Sequence, residues 1–422
     1  MRFFLIFLVL VISQTAYSQD IHSLDLQKIN SKAKFKDFCF SDKISSVKLF
    51  KTGDQLSDPI IRLGSSETVT LVFDELIRND ENEENYYYSV EHRDADWKEE
   101  SLITSDYMTG FSENDFNIVR QSMGTMVKYR NFSLTLPNTD VQLKISGNYV
   151  VKVFERGTQK LVLLKGFSVI EPLVAINASM AIPLNILCMQ QLDIKVDHQS
   201  LKVLDSYSNL RVRVEQNSAR VPGTRDPIPA FSQPNRTDYA RSDRNMYNGR
   251  NEYRVFDIRS SIYSGQGVAS RSVKDVHEVD LVHDKERSDY VAVRDINGKY
   301  MIGADNVADP DIQSDYVDVL FSFAPKILLE GRIFLYGELT NWSISEKYEM
   351  FHSDRSYKCQ ALLKQGFYNY QYVVMNKKGE LDMNTTEGCF YETENEYNVY
   401  IYYRLPENRY DRLVGFQKVT SR

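Results

Sequence analysis

The sequence has few of the residues that most often carry enzyme chemistry. Its 422 residues include six histidines, of which only His277 and His283 lie close together in the chain. On a strand rising about 3.3 Å per residue, these two side chains would lie about 20 Å apart, too far to share one zinc ion. No serine-hydrolase elbow, phosphate-binding loop or zinc-protease motif occurs in the sequence. We therefore expect no catalytic residue, no cofactor and no metal site.

Cysteine is also scarce. Four cysteines, at positions 39, 188, 359 and 389, are too few for a disulfide scaffold in a chain of this length. Cys359 and Cys389 could pair with each other in an oxidising compartment. A buried free thiol explains Cys359 equally well, because Cys359 alternates inward with Tyr357 and Ala361. The sequence leaves both possibilities open.

Basic residues are outnumbered by acidic ones, 51 to 58, which gives a net charge of -7. Nucleic-acid binding needs a basic face, so we expect no nucleic-acid partner. The acidic stretch from Asp305 to Asp318 contains Asp309, Asp311 and Asp315, whose carboxylates could gather around calcium. The spacing of these aspartates does not match that of a calcium-binding loop, which has a glycine at its centre. The alternative to a calcium site is a solvated linker.

Long apolar runs are absent except at the N-terminus. Phe3–Ile12 follows a positively charged start, and a small–x–small cleavage pattern ends at Ser18. These features predict a secretory signal peptide over residues 1–18, because a membrane-spanning helix needs about 20 apolar residues. The next best candidate, Val174–Met189, is short and interrupted by proline and asparagine. We expect an exported mature protein without a membrane span.

What the chain has in quantity is strand-forming sequence. Several segments are rich in aromatic and branched residues, and turn signals such as Asn297-Gly298 separate them. The clearest of these segments are Tyr86–Glu91, Leu161–Ile170, Leu210–Val214 and Tyr397–Tyr403. The pattern predicts an all-β fold of tandem immunoglobulin-like or fibronectin-like β-sandwich domains.

The composition predicts three domains after the signal peptide, over residues 19–172, 173–309 and 310–422. Trp97 in the first of them is expected to be a core anchor. In the middle domain, the tract Ser218–Arg250 contains six arginines and four prolines, which predicts a long polar loop rather than a strand. A hairpin around Asn297-Gly298 is expected near the end of the same domain.

Tyrosine is abundant, with 27 residues in the chain. In Tyr397–Arg404 both faces of the predicted strand carry aromatic or branched side chains, whereas a sandwich strand buries only one face. Some tyrosines, such as Tyr400 and Tyr402, should then be exposed, and exposed tyrosine with arginine is typical of protein-binding surfaces. The alternative is that a neighbouring domain covers them.

Two stretches resemble known families. Gly331–Val374 resembles immunoglobulin-like modules beside starch- and glycogen-active enzymes, in which a Gly–x–x–x–Asn–Trp turn, here Gly337 to Trp342, closes the first strand. This resemblance implies a module without catalytic groups and gives an alternative function, a periplasmic or surface glycan-binding protein in which Trp342 stacks on sugar. Trp342 as an inward-packed core anchor is the competing interpretation.

The stretch Asn245–Ser260 is more specific. Its Gly–x–Asn–Glu–aromatic–Arg–x–Phe–Asp line, from Gly249 to Asp257, resembles the second domain of the plug protein family of the type IX secretion system of Bacteroidetes. That resemblance implies a non-catalytic periplasmic protein, associated with the outer membrane, that seats in a large outer-membrane translocon barrel and closes its pore from the periplasmic side. The candidate partner-binding residues are Arg250, Tyr253, Arg254, Tyr400 and Tyr402.

Overall fold

Strands build nearly all of the regular structure. The structure, a computed structural model, describes residues 37–77, 84–181, 188–240 and 243–422, so the predicted signal peptide lies outside the described residues. Within these ranges the helices are single turns: α1 Thr104–Tyr107, α2 Ser206–Asn209, α3 Pro310–Gln313 and α4 Asn384–Glu387, with 3-10 turns at Asp243–Asn245, Glu338–Thr340 and Glu346–Tyr348. The predicted all-β fold is confirmed.

The strands fall into three groups along the chain. The first group is β1 Phe38–Cys39, β2 Ile44–Lys51, β3 Ile60–Arg62, β4 Val69–Leu76, β5 Tyr86–Arg93, β6 Met108–Gly110, β7 Asn114–Asp115, β8 Ile118–Gln121, β9 Tyr129–Leu136, β10 Val141–Leu143, β11 Gly147–Glu155 and β12 Leu161–Ile170. The second is β13 Ala175–Ala181, β14 Met189–Asp197, β15 Leu210–Gln216, β16 Ala219–Arg225, β17 Phe231–Gln233, β18 Arg236–Asp238 and β19 Met246–Asn248. The third is β20 Arg254–Asp257, β21 Val268–Val273, β22 His277–Leu281, β23 Tyr300–Ile302, β24 Tyr316–Phe323, β25 Arg332–Tyr336, β26 Glu349–Ser353, β27 Ser356–Lys364, β28 Gly366–Met375, β29 Leu381–Asp382, β30 Glu396–Tyr403 and β31 Arg412–Thr420.

The first unit, β1–β12, is a sandwich of two sheets. One has the order β1-β12-β11-β5-β7 and the other β2-β4-β9-β8, with β6 and β10 as a separate ribbon. Alternating residues of each sheet point into a shared core, where Phe73 stacks on Phe132 at 4.9 Å between ring centroids. Trp97 is 5% exposed and packs with Val150 and Leu164, so it is a core anchor as expected.

The middle unit takes strands from two distant parts of the chain. Its sheets have the orders β13-β14-β18-β17 and β16-β15-β30-β31, so the last two strands of the chain complete it. Leu210 of β15 faces Tyr403 of β30, and the core joins Ile194, Val212 and Ile401. The chain therefore leaves the middle unit after β19, builds the last unit and returns.

The last unit contains β20–β29. Its strands follow one path, β20-β28-β25-β26-β27-β24-β22-β21, which folds over so that β20 and β28 face β24 and β27 across a common core. Phe256 of β20 stacks on Tyr368 of β28 at 5.0 Å, and its edge meets Phe321 of β24 at 5.5 Å. This is a sandwich closed around aromatic side chains.

Three predictions about the chain's organisation need correction. The boundary at residue 309 does not separate two units, because β20 to β23 belong to the last unit and β30 and β31 to the middle one. The tract Ser218–Arg250 contains four short strands, β16 to β19, paired within the middle unit. Asn297 and Gly298 do form a left-handed turn, with φ of 52° and 80°, but the strand that follows pairs with β28 rather than forming a local hairpin.

Candidate functional site

Tyr400 and Tyr402 are covered by the first unit. They are 5% and 2% exposed and pack with Ala95, Ile170 and Leu413 where β30 meets the first unit. The Tyr402 hydroxyl donates to Asn148 Oδ1 at 3.0 Å. Of the two alternatives, an exposed face or a face covered by a neighbouring domain, the second holds, because the first unit covers the second face of their strand.

Arg250 and Tyr253 are also buried, 3% and 1% exposed. The Arg250 carbonyl accepts from the Phe390 amide at 2.8 Å, which ties the end of the middle unit to the segment before β30. The preceding Gly249 is required here, because a Cβ atom at this position would lie 1.9 Å from the Phe390 carbonyl oxygen. The Gly–x–Asn–Glu–Tyr–Arg line therefore builds the crossing between the middle and last units.

Arg254 lies inside the last unit. Its guanidinium donates to Glu387 at 3.0 Å and to Asp284 at 2.7 Å, and it lies 5.1 Å from the ring centroid of Tyr372. Burial lowers the pKa of Arg254, but the two carboxylates more than offset this and hold the pKa above its ordinary value. The Tyr370 hydroxyl also donates to Asp284, at 2.7 Å. The contacts of all five candidate residues described here are made within the chain, and contact with a partner stays a prediction.

Trp342 packs inward. Its ring lies 5.5 Å from the ring of Tyr336 and 6.3 Å from that of Tyr253, both in edge-to-face geometry. Gly298 fits against the same rings, since a Cβ atom there would lie 2.5 Å from both Trp342 and Tyr253. These ring contacts of the partly buried Trp342 side chain support the core-anchor interpretation.

The acidic stretch before β24 docks on the first unit. Asp311 pairs with Arg120 at 3.1 Å, and Asp309 pairs with the same guanidinium. Asp315 accepts from the Met126 and Val127 amides at 2.7 and 3.1 Å. Within the described ranges, no group of three or more histidine, cysteine, aspartate or glutamate side chains is placed to hold a metal ion. These carboxylates position the two units against each other.

A buried ion pair crosses the same contact. The Lys364 ammonium of β27 lies 2.6 Å from Asp74 Oδ2 of β4, and both side chains are almost fully buried. The Tyr316 hydroxyl donates to the same oxygen at 2.8 Å. Burial raises the pKa of Asp74, and the Lys364 charge opposes that rise. These contacts tie β24 and β27 of the last unit to β4 of the first unit.

All three units meet at Asp58, and we call this place the three-unit junction. Asp58 of the first unit accepts from Lys299 of the last unit at 3.2 Å and from Ser218 of the middle unit at 2.6 Å. Lys418 of β31 lies 2.6 Å from its other oxygen. Burial raises the pKa of Asp58, but the two lysines outweigh it and hold the pKa well below its ordinary value.

A cavity of about 60 Å³ lies beside the junction. Its lining comes from the first, middle and last units and includes Asp58, Lys165, Glu215, Lys299 and Trp342. No pattern in the sequence points to this site, because its residues are far apart in the chain and carry no shared motif. Only the folded chain brings them together.

The disulfide joins Cys188 and Cys389, 201 residues apart, whereas Cys39 and Cys359 are free. The possible bond between Cys359 and Cys389 is therefore not formed, and the alternative of a buried free thiol holds for Cys359. Burial raises the pKa of this thiol to about 12. The bond ties the start of β14 to the segment that leads back into β30.

Comparisons with known proteins identify the first unit. The family model for the type 9 secretion system plug protein 1st domain matches residues 44–171. A crystal structure of a hypothetical protein from Parabacteroides merdae ATCC 43184 is 32% identical, with a TM-score of 0.87 over 92% of this chain and 99% of that one. Three N-terminal domains of the bacteriophage RB49 highly immunogenic outer capsid protein cover 89% of this chain and 96% of that one, with 12% identity and a TM-score of 0.15, too low to bear on the fold.

No curated protein matches the chain. No helix in the described parts of the chain is long and apolar enough to cross a membrane. The family match covers the first sandwich, and the 32% identical structure extends over almost the entire fold. The chain belongs to the type IX secretion system plug protein family, as its 44–171 segment shows.

Proposed function

We propose that the protein is a non-catalytic periplasmic plug, which seats in the outer-membrane translocon barrel of the type IX secretion system and closes its pore from the periplasmic side. The observation that carries the proposal is the match of the first unit to the plug family, in a chain whose three sandwiches are joined through buried charges. The predicted signal peptide supports export.

A plug has to keep one shape while it fills an opening. Buried ion pairs add little net stability, but they penalise any other packing, since each displaced partner would leave a buried charge unpaired. Asp74 with Lys364 fixes the first unit on the last, and Asp58 fixes both on the middle unit. This arrangement favours a single rigid body over three linked modules.

Two measurements test the proposal in cells that make the protein. A tagged chain should co-purify with a very large outer-membrane barrel after gentle extraction, and deleting its gene should leave the purified barrel conductive in planar bilayers. Adding the purified protein back should close the conductance from one side only. A chain that extracts as a clean monomer, or a barrel whose conductance is the same with and without it, would overturn the proposal.

A further inference from the structure

Lys165 differs from the other buried lysines of the described chain in the groups around its ammonium. It is 6% exposed, and its Nζ lies 3.6 Å from the nearest carboxylate, that of Asp37. Nζ donates instead to the side-chain carbonyl oxygen of Asn341 at 3.3 Å. The other buried lysines form closer ion pairs, 2.6–3.2 Å from a carboxylate oxygen: Lys48, Lys299 and Lys364. A buried amine therefore contacts a carboxamide, with a carboxylate beside the amine.

Strand pairing places the amine and the carboxylate together. Lys165 lies in β12, and β1 pairs with β12 so that Phe38 faces Leu164. Asp37 precedes Phe38 and therefore lies opposite Lys165 in this antiparallel pair. The Asp37 carboxylate also accepts from the Gly166 amide at 3.2 Å. One sheet of the first unit thus holds both groups.

The carboxamide belongs to the last unit and is held by a turn. Asn341 and Trp342 both have left-handed backbone conformations, with φ of 53° and 54°. Residues other than glycine seldom adopt this region, so the surrounding contacts must hold the turn in place. The Asn341 amide donates to the Glu338 carbonyl at 2.8 Å. The turn therefore presents Asn341 to Lys165 in a fixed position.

The three groups are shielded from bulk solvent but have open space beside them. Lys165, Asp37 and Trp342 line the cavity of about 60 Å³ beside the three-unit junction. Asn341 lines a second cavity, of about 100 Å³, between the first and last units. Shielding limits competition from water, and the second cavity has room for an ammonia molecule, which is about as large as a water molecule.

We propose that Lys165 and Asn341 form an amide bond in the folded chain, with Asp37 as the proton acceptor. Asp37 takes one proton from the Lys165 ammonium, and the neutral Nζ attacks Cγ of Asn341. A second Nζ proton passes to Nδ2, and the bond between Cγ and Nδ2 breaks. Ammonia leaves with the proton that Asp37 holds, as ammonium. The reaction needs no cofactor and no oxidant.

Proximity is what makes this reaction feasible. Amines attack amides very slowly in water, but well-oriented groups react as if present at about 10⁵–10⁸ M. The attacked carbon is bonded to the oxygen that Nζ already contacts, so rotation of the Lys165 side chain brings Nζ over it. The other buried lysines face carboxylates, whose negative charge makes them poor electrophiles.

The bond joins the first unit covalently to the last. It goes beyond the plug function, because it forms within one chain and needs no partner. Its test therefore leaves the plug function untouched.

Peptide mapping of the purified full chain tests the proposal. After reduction, denaturation and digestion with trypsin, the segments that contain Lys165 and Asn341 should appear as one branched peptide. This peptide should be lighter than the sum of its parts by about 17 Da, the mass of the ammonia released. The branched peptide decides the matter rather than the intact mass, because cyclisation of an N-terminal glutamine removes the same mass.

Three variants separate the roles of the groups. Lys165→Arg keeps the positive charge but removes the amine, and Asn341→Ala removes the carboxamide, so both should give separate peptides. Asp37→Asn keeps both reacting groups and should slow bond formation at least about a hundredfold, since it removes the proton acceptor. Lys160→Met, at an exposed lysine just before β12, is the matched control and should remain linked.

Circular dichroism should show that each variant is folded. Separate peptides from the natural chain would overturn the proposal. So would a folded Asp37→Asn variant in which the bond forms as fast as in the natural chain.

Discussion

At the scale of single residues, the clearest consequence of folding is the burial of ionisable groups. Asp295 illustrates it: burial raises its pKa to about 7, although the Tyr253 and Asn297 amides donate to the carboxylate. The nearby charges of Glu252 and Glu394 raise it further. In the folded chain this acid keeps its proton at pH values where the unfolded chain has lost it.

The raised pKa of Asp295 makes the folded chain less stable as pH increases. Between the ordinary pKa of 3.8 and the folded value of about 7, the folded state binds more protons, so the stability decreases as pH rises through this window. Asp295→Asn should remove the decrease, which between pH 5 and pH 8 is on the order of 1–3 kcal/mol. Chemical denaturation at pH 5 and pH 8 measures the stability of both proteins. If the variant loses as much stability between these two pH values as the natural chain does, Asp295 is not the source of the decrease.

The Asp74–Lys364 pair gives a second prediction at this scale. Lys364→Met should destabilise the chain by about 3–5 kcal/mol, because it leaves a buried carboxylate without its cation. Adding Asp74→Asn should recover much of the loss, since the amide still accepts from the Tyr316 hydroxyl and carries no charge. Denaturant midpoints of the single and double variants measure this. Additive losses in the double variant would mean that the two groups act independently.

At the scale of strands, local sequence was a good guide where one strand carries its own pattern. Leu161–Ile170 is β12 with the bounds predicted, and Tyr86–Glu91 lies within β5. The short strands β16 to β19 were missed, because prolines and arginines break their alternation and pairing partners in β14 and β15 supply the order.

The sequence does not show which other strand or unit packs against each face of a strand. Tyr400 and Tyr402 look like a surface on their own strand, and only the position of the first unit shows that they are core residues. The same reason explains the missed junction, since Asp58, Lys299 and Lys418 come from three separate parts of the chain. Contacts between distant segments produce no local periodicity in the sequence from which they could be predicted.

The disulfide gives a prediction for the elements it connects. Cys389→Ser should destabilise the chain by about 2–5 kcal/mol, because the bond restrains two segments 201 residues apart in the unfolded chain. Cys39→Ser is the matched control, with a small effect expected because this free thiol is only half-buried. Thermal melts without reductant compare the two. Two thiols reactive under denaturing conditions are expected in the natural chain, and four would mean that the bond is absent.

At the scale of the whole molecule, three sandwiches are joined at one carboxylate. Asp58→Asn should leave Lys299 without its carboxylate and Lys418 with Glu396 alone, and destabilise the chain by about 2–4 kcal/mol. Hydrogen exchange should accelerate around all three partners rather than in one unit. Asp354→Asn, an exposed position in a turn, is the control and should change neither property.

The pH dependence of the same site has the opposite sign to that of Asp295. The pKa of Asp58 is depressed below its ordinary value of 3.8, so its contribution is present at neutral pH and is lost as pH falls below about 4. The gap in stability between Asp58→Asn and the natural chain should therefore narrow in acid. A gap that stays constant down to pH 3 would show that the carboxylate is not the source of the coupling.

The return of β30 and β31 to the middle unit has a consequence for the order of events during biosynthesis. Translation delivers the chain from its N-terminus, so the first sandwich is complete early, whereas the middle one waits for the last strands to emerge. In the meantime β15 has an open edge where β30 will pair. A newly made chain is therefore open to unwanted strand pairing until its final segment arrives, and a chaperone would find its binding site at that edge.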